Sequence, residues 1–167
     1  MQDRADVKVL PPFVLLGFLA LGLLLAILAP TPVLPEPIAR LLGIVVIVLS
    51  IVFVFLAVRE IARAKTALDV RKPTTTLVTS GIFRITRNPI YFSMILLVAG
   101  VGLMLNSLWS ILLAAPIGGV LWLMAIRPEE RYLDGRFGGA YRAYCTETPR
   151  WLSARGLLGA FQPRPRR

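Results

Sequence analysis

Apolar residues along this chain neither alternate nor recur on one helical face. They form four unbroken runs, at 11–29, 38–58, 90–105 and 108–126, with Arg40 the one ionisable residue inside them. Runs without a polar face belong to helices surrounded by protein core or by lipid. At about 1.5 Å per helical residue against a hydrocarbon core of roughly 30 Å, three runs are long enough to span a bilayer and the third in order is short. Only Asn106 and Ser107 separate the last two runs. The third and fourth spans are therefore predicted to be antiparallel neighbours joined by a tight turn.

The intervening segments carry their own signals. Positions 59–72 keep a helical pattern, with Ile61, Ala64, Leu68 and Val70 available to one face and bases on the other. They predict a helical extension along the inner headgroups, ended by Pro73. The β-branched stretch from Thr74 to Thr79, closed by Ser80 and Gly81, predicts an ordered extended segment. Asn88 is a good N-cap and Pro89 fits a first helical position, so the third span should occupy 89–105. That helix end, with Arg84 and Arg87 beside it, suits an anionic group. After the fourth span, Pro128 marks a kink or a fresh helix start, with Glu129 and Glu130 suiting a first turn. A helix to about Phe137 should stop at Gly138 and Gly139, followed by a short helix over Tyr141 to Cys145 and a stop at Pro149. The tail at 151–161 resembles an interfacial anchor. Gly100 and Gly102 lie in mid-span, where small residues serve helix packing rather than a nucleotide loop.

Composition narrows the class. With 167 residues, 56% hydrophobic and 17% charged, the chain is too apolar for a soluble domain and reads as a single integral membrane domain over 1–167. It has no histidine and one cysteine, Cys145. Imidazole-based catalysis, histidine metal sites, internal disulfides and thiolate zinc clusters are thereby excluded, and no metal is expected. The net charge of +10 in so apolar a chain points to lipid headgroups and cytoplasm rather than nucleic acid. Residues 59–88 hold seven bases against two acids and 127–167 hold nine arginines against four acids, whereas 30–37 carries only Glu36. The positive-inside rule then predicts a multi-pass protein with both termini and the 59–88 loop cytoplasmic. The first run could alternatively be a signal-peptide core ending at Ala26 or Ala29, but Asp3, Arg4, Asp6 and Lys8 cancel where such a peptide needs positive charge.

Polar side chains concentrate in Thr75 to Tyr91 and Arg127 to Tyr144, at the same ends of two spans that the hairpin makes neighbours. They predict one shared pocket, open to the cytoplasm and sideways to lipid, suited to a polar cofactor and a lipid-attached substrate.

Thr76-Leu77-Val78-Thr79-Ser80-Gly81-Ile82-Phe83, then Arg87-Asn88-Pro89-Ile90-Tyr91, then Glu129-Glu130 with Phe137-Gly138, Tyr141 and Tyr144, resembles the isoprenylcysteine carboxyl methyltransferase and phospholipid methyltransferase superfamily over residues 73–152. The resemblance implies an all-α membrane protein: four transmembrane helices, with a cytoplasmic C-terminal helical segment completing a cofactor pocket built from 73–91 and 127–152. It implies an enzyme that binds S-adenosyl-L-methionine and methylates a membrane-embedded or lipid-attached acceptor, a carboxylate or an amine. Its cofactor contacts would fall on Thr75, Thr76, Leu77, Val78, Phe83, Arg87, Asn88, Pro89, Ile90, Tyr91 and Glu129. Two departures stand out: the carboxyl methyltransferases usually have histidine where this chain has Asn88, and their substrate-contacting arginine corresponds to Ala125.

The residue types suit such a donor. Glu129 would accept from its ammonium and ribose hydroxyls, Arg84 or Arg87 and the helix end would meet its carboxylate, and Leu77, Val78 and Phe83 would wall its adenine. The sulfonium could lie against Tyr91. A carboxylate acceptor needs no base, whereas an ammonium acceptor must lose a proton, for which Tyr91 and Glu130 are the candidate catalytic groups. Two other functions fit the pattern: an NADPH-dependent membrane reductase of lipid-like substrates, whose known examples are much longer, and a non-enzymatic helical membrane scaffold. Tyr141 and Tyr144 could be interface-belt aromatics, Glu130 and Arg131 a solvated face, and Cys145 an inert thiol.

Overall fold

The computed structural model describes residues 10–66 and 75–152, and is helical wherever regular structure occurs among them. Helix α1 spans Pro11–Leu28 and α2 Glu36–Arg63, each opened by proline in its first turn, where no N–H is missed. A short 3-10 turn at Gly81–Arg84 precedes α3, Pro89–Met104. Next, α4 (Leu108–Leu112), α5 (Ala114–Leu121), a π turn (Trp122–Ile126) and α6 (Arg127–Phe137) follow head to tail as one 30-residue helical run. Gly138, with φ +51°, breaks that run, and α7 follows over Gly139–Glu147, longer at both ends than the short helix expected there.

Three of these bodies are long and apolar enough to cross a membrane: α1, α2 and the run Leu108–Phe137. Their exposed side chains are large and apolar, among them Phe13, Ile27, Leu41, Ile51, Phe55 and Leu123. Surface of this kind is at rest in lipid and not in water, and the chain is a multi-pass membrane protein. The 16 residues of α3 amount to about 24 Å, short of a bilayer core.

Close packing depends on small residues, because apolar helices gain little hydrophobic drive from one another in lipid. The longest helix contact is α2 on α3. A Cβ on Gly43 would sit 2.7 Å from the Met104 backbone nitrogen, and one on Gly100 would sit 3.0 Å from that of Ile47. Gly102 meets the next helix in the same way, with the Ile111 nitrogen 2.6 Å from where its Cβ would be. The mid-span glycines thus serve packing, as expected. Ser50 Oγ donates to the Ser93 carbonyl at 2.8 Å, and Ser110 Oγ to the Gly22 carbonyl at 2.7 Å, tying α2 to α3 and α4 to α1. The core comprises Tyr91, Val98, Ile117, Leu121, Ala125 and Ile126, covered by α1 residues Val14, Leu15, Phe18 and Leu19 and by Trp151.

The expected hairpin is present. Asn106 takes φ +47° at the turn, and its side chain accepts from the backbone N–H groups of Val33 and Leu34 and donates to the Leu34 carbonyl. One residue thereby pins the α3–α4 turn to the α1–α2 connection. Two other expectations are revised and one is met. Helix α2 stops at Arg63, with Lys65 at φ +50°, instead of continuing through 59–72; positions 67–72 lie outside the described residues, as does the tail beyond Leu152. Pro128 stands in the first turn of α6, which starts at Arg127 with Glu129 and Glu130 in that same turn, as expected of a fresh α-helix start, although the helical run continues through it. The π turn ahead of it widens the backbone where the proline ring would otherwise meet the Met124 carbonyl, and Arg127 N–H bonds instead to the Trp122 carbonyl. Asn88 holds the N-cap position of α3 without a side-chain cap, because its amide is drawn to Arg150.

Candidate functional site

Where α3 begins and α6 leaves the core, the chain encloses a cavity of about 380 Å³. Its floor is a single hydrogen bond: Tyr91 Oη donates to Glu129 Oε2 at 2.9 Å. Tyr91, two residues into α3, is buried by the core, and the π turn sets the direction in which Glu129 leaves the run. The other oxygen of Glu129 accepts no hydrogen bond from the described residues. One wall is the non-helical segment carrying Thr76, Leu77 and Val78, continued by Phe83; a second is Arg87, Asn88, Pro89 and Ile90. An apolar side is formed by Leu10, Pro11 and Pro12 before and within α1, by Val54, Val58 and Ile61 of α2, and by Met94. The cavity is thus polar at one end and hydrocarbon-lined at the other.

A strap from the C-terminal side holds the second wall. Arg87 N–H donates to the Pro149 carbonyl at 2.9 Å, while Thr86 Oγ and Asn88 Nδ2 both donate to the Arg150 carbonyl, at 2.9 and 3.1 Å. The Arg150 guanidinium in turn grips Glu130 with two hydrogen bonds, Nε at 2.9 Å and Nη2 at 2.8 Å. Arg87 Nη2 lies 3.4 Å from the same carboxylate, with side-chain exposures of 12% for Arg87 and 18% for Glu130. Glu130 is therefore committed to two arginines and is no solvated face. Arg87 also contacts the Cys145 sulfur, and its Nε is buried without a partner. The hydrogen bond to Glu130 raises the affinity of Arg150 for its proton, with burial opposing it less strongly. Burial, and then the Glu130 charge, hold the Tyr141 hydroxyl proton well above the ordinary tyrosine range.

Ten of the residues expected at a cofactor site border this one cavity: Thr76, Leu77, Val78, Phe83, Arg87, Asn88, Pro89, Ile90, Tyr91 and Glu129, with the candidate Glu130 beside them. Thr75 does not. Its N–H donates to Thr66 Oγ at 3.1 Å and its hydroxyl to the Lys65 carbonyl at 3.5 Å, fastening the segment to the end of α2. Arg84, on the 3-10 turn, is also absent from the lining. Tyr141 and Tyr144 are buried wall residues rather than belt aromatics, and Tyr144 Oη donates to the Phe83 carbonyl at 2.7 Å. Sequence reasoning missed the α1 and α2 contributions, which no local pattern marks. Met94 and Leu133 could have been found, since each lies one helical turn beyond Tyr91 or Glu129 on the same face.

Helical membrane architecture with a mostly apolar cavity that carries a few polar side chains at one end of the bundle defines an integral membrane protein with a ligand-sized site. The phospholipid methyltransferase family matches residues 38–140, more than half of the chain, and the chain belongs to that family. The match takes in α2, α3 and the run through α6, ending before the 149–150 strap. No curated protein matches the chain. Membership makes the protein a methyltransferase of the membrane.

Proposed function

We propose that the protein transfers the methyl group of S-adenosyl-L-methionine to a lipid-like acceptor, a carboxylate or an amine, in the cavity floored by Tyr91 and Glu129. The observation that carries this reading is that one cavity is lined both by Glu129, one of whose oxygens accepts no hydrogen bond from the described residues, and by Arg87, whose Nε has no partner among them. A donor bearing both an ammonium and a carboxylate needs that pair. Its volume lies within the roughly 300–1,000 Å³ of ligand sites. Glu129 would accept from the ammonium or ribose hydroxyls, Arg87 Nε would donate to the carboxylate, and Leu77, Val78 and Phe83 would flank the adenine.

When bound, the sulfonium supplies an activated methyl group for in-line displacement. The chain's part is to hold donor and acceptor in line and to keep water out, which Met94, Val58, Ile61 and Leu133 do from the apolar side. For an ammonium acceptor the proton would be relayed: Tyr91 Oη would receive it as its own phenol proton passes along the existing hydrogen bond to Glu129. Glu130 instead serves as the anchor of the strap, both of its oxygens being engaged.

The bases at the cavity end, Arg59, Arg63, Lys65, Arg87, Arg127 and Arg131 among them, support a cytoplasmic site with α3 as a fourth, short span and both termini on that side. Calorimetry of the purified protein with S-adenosylhomocysteine tests the reading. Saturable one-to-one binding in the micromolar to low millimolar range is expected, and its absence in folded protein would sink it. Methyl-labelled cofactor added to membranes overproducing the protein should then label lipid, as a base-labile ester or a stable amine.

A further inference from the structure

One carboxylate near the end of α2 is buried without lining the cavity. Glu60, with 8% side-chain exposure, accepts from Ser80 Oγ at 2.8 Å, from Arg63 Nη1 at 3.2 Å and from Arg59 Nη2 at 3.5 Å. Gly81, at φ +57°, lies against it so closely that a Cβ there would come within 2.6 Å of the Glu60 carboxyl carbon. Burying a carboxylate is unfavourable unless donors surround it, and this one is surrounded. The donor arriving from outside α2 is Ser80.

The consequence lies in what Ser80 ends. The segment from Thr75 runs back along the last turns of α2, fastened at its start to Thr66 and Lys65 through Thr75 and at its finish to Glu60 through Ser80. Between these two fastenings it presents Thr76, Leu77 and Val78 to the cavity, and just beyond them Phe83. Among the described residues no strand pairs with it, and the further fastening, Tyr144 Oη donating to the Phe83 carbonyl, lies beyond Ser80.

We propose that Glu60 is a positioning residue for the methyl-donor site: through Ser80 and the close seat of Gly81 it fixes the Thr76–Phe83 wall against which the donor binds. This rests on the donor reading above and goes beyond it, since Glu60 contributes no atom to the cavity lining. A wall held in place before binding does not have to be ordered at the moment of binding, so loss of the fastening should weaken donor affinity without altering the chemistry of transfer.

The test has two arms. Glu60→Gln and, leaving the carboxylate intact, Ser80→Ala should weaken S-adenosylhomocysteine binding in calorimetry by about tenfold and about threefold respectively, the weaker effect matching loss of one hydrogen bond. The KM for the donor should rise in step while kcat at saturating donor is retained, a split that general destabilisation does not produce. Independently of any ligand, hydrogen exchange in the apoprotein should quicken in the 76–83 segment of both variants and stay unchanged in α3 and α5. Affinity within about twofold of wild type in folded Glu60→Gln, or exchange quickened throughout the bundle, overturns the proposal. If Glu60→Gln does not fold, Ser80→Ala decides alone. If the wild type binds no S-adenosylhomocysteine, the donor reading fails, while the exchange pattern still shows whether Glu60 holds the wall.

Discussion

Tyr91 and Glu129 meet through one hydrogen bond, yet they should not be equally sensitive to replacement. Glu129→Gln removes the negative charge that would receive an ammonium, and should cost about 1.5–3 kcal/mol of S-adenosylhomocysteine affinity, the range for hydrogen bonds to charged groups. Tyr91→Phe keeps the ring and loses only the hydroxyl, so about 1 kcal/mol is expected in the same calorimetric titration. Equal losses would mean that the two act only as a structural pair. Tyr141 offers a measurement that needs no ligand. Its proton is held more tightly in the folded protein than in an unfolded chain, so stability should be unaffected at neutral pH and decline as pH rises above about 10, where the unfolded tyrosine ionises first. Thermal unfolding in detergent should show Tyr141→Phe flattening that alkaline decline.

Among the elements, the α2–α3 contact is the one most dependent on the absence of side chains. Gly100→Val would force its Cβ to within 2.8 Å of Ile47 Cγ1, and Gly43→Val would meet the Met104 backbone at 2.7 Å. Each substitution should cost about 1–3 kcal/mol by overpacking, read as a lower midpoint of unfolding, with Gly43 the worse because backbone lies closer to it, at 2.7 Å against 3.0 Å for Gly100. The 149–150 strap is the second sensitive element. Arg150→Ala keeps the carbonyl that receives Thr86 and Asn88 but leaves Glu130 with Arg87 alone, so the strap loses its anchor; since Arg150 is 39% exposed the loss of stability should be modest, while S-adenosylhomocysteine binding should fall as the unanchored strap holds Arg87 and Asn88 less firmly. Helix bodies were legible in the sequence because a lipid-facing helix has no polar face to confuse the pattern, and the hairpin because two residues leave only one geometry. The strap was not legible: its bonds join residues more than sixty positions apart through backbone carbonyls, which carry no side-chain signature. The place of Thr75 was not legible for a related reason, since its partners, the Thr66 hydroxyl and the Lys65 carbonyl, leave no pattern in the sequence.

At the scale of the whole molecule, charge and shape agree. The exposed Glu36–Arg40 pair is the charge at the hairpin end of the bundle, and the described bases otherwise gather around the cavity end. A membrane-impermeant maleimide applied to intact cells should therefore modify a cysteine placed at Glu36 and leave one placed at Arg142 unmodified, both in a Cys145→Ser background. The π turn at Trp122–Ile126 has one more consequence, for evolution as much as for engineering. It works as an inserted residue, turning everything downstream by about 100° relative to an uninterrupted helix. Deleting the lipid-exposed Leu123 should therefore let the helix wind regularly with Glu129 and Glu130 kept on their present face, whereas one residue added beside it, with regular winding, should swing the acidic side chains of α6 away from α3. A protein lengthened in this way would keep its hydrophobic spans and its insertion into the bilayer, yet have nothing left with which to clasp a ligand.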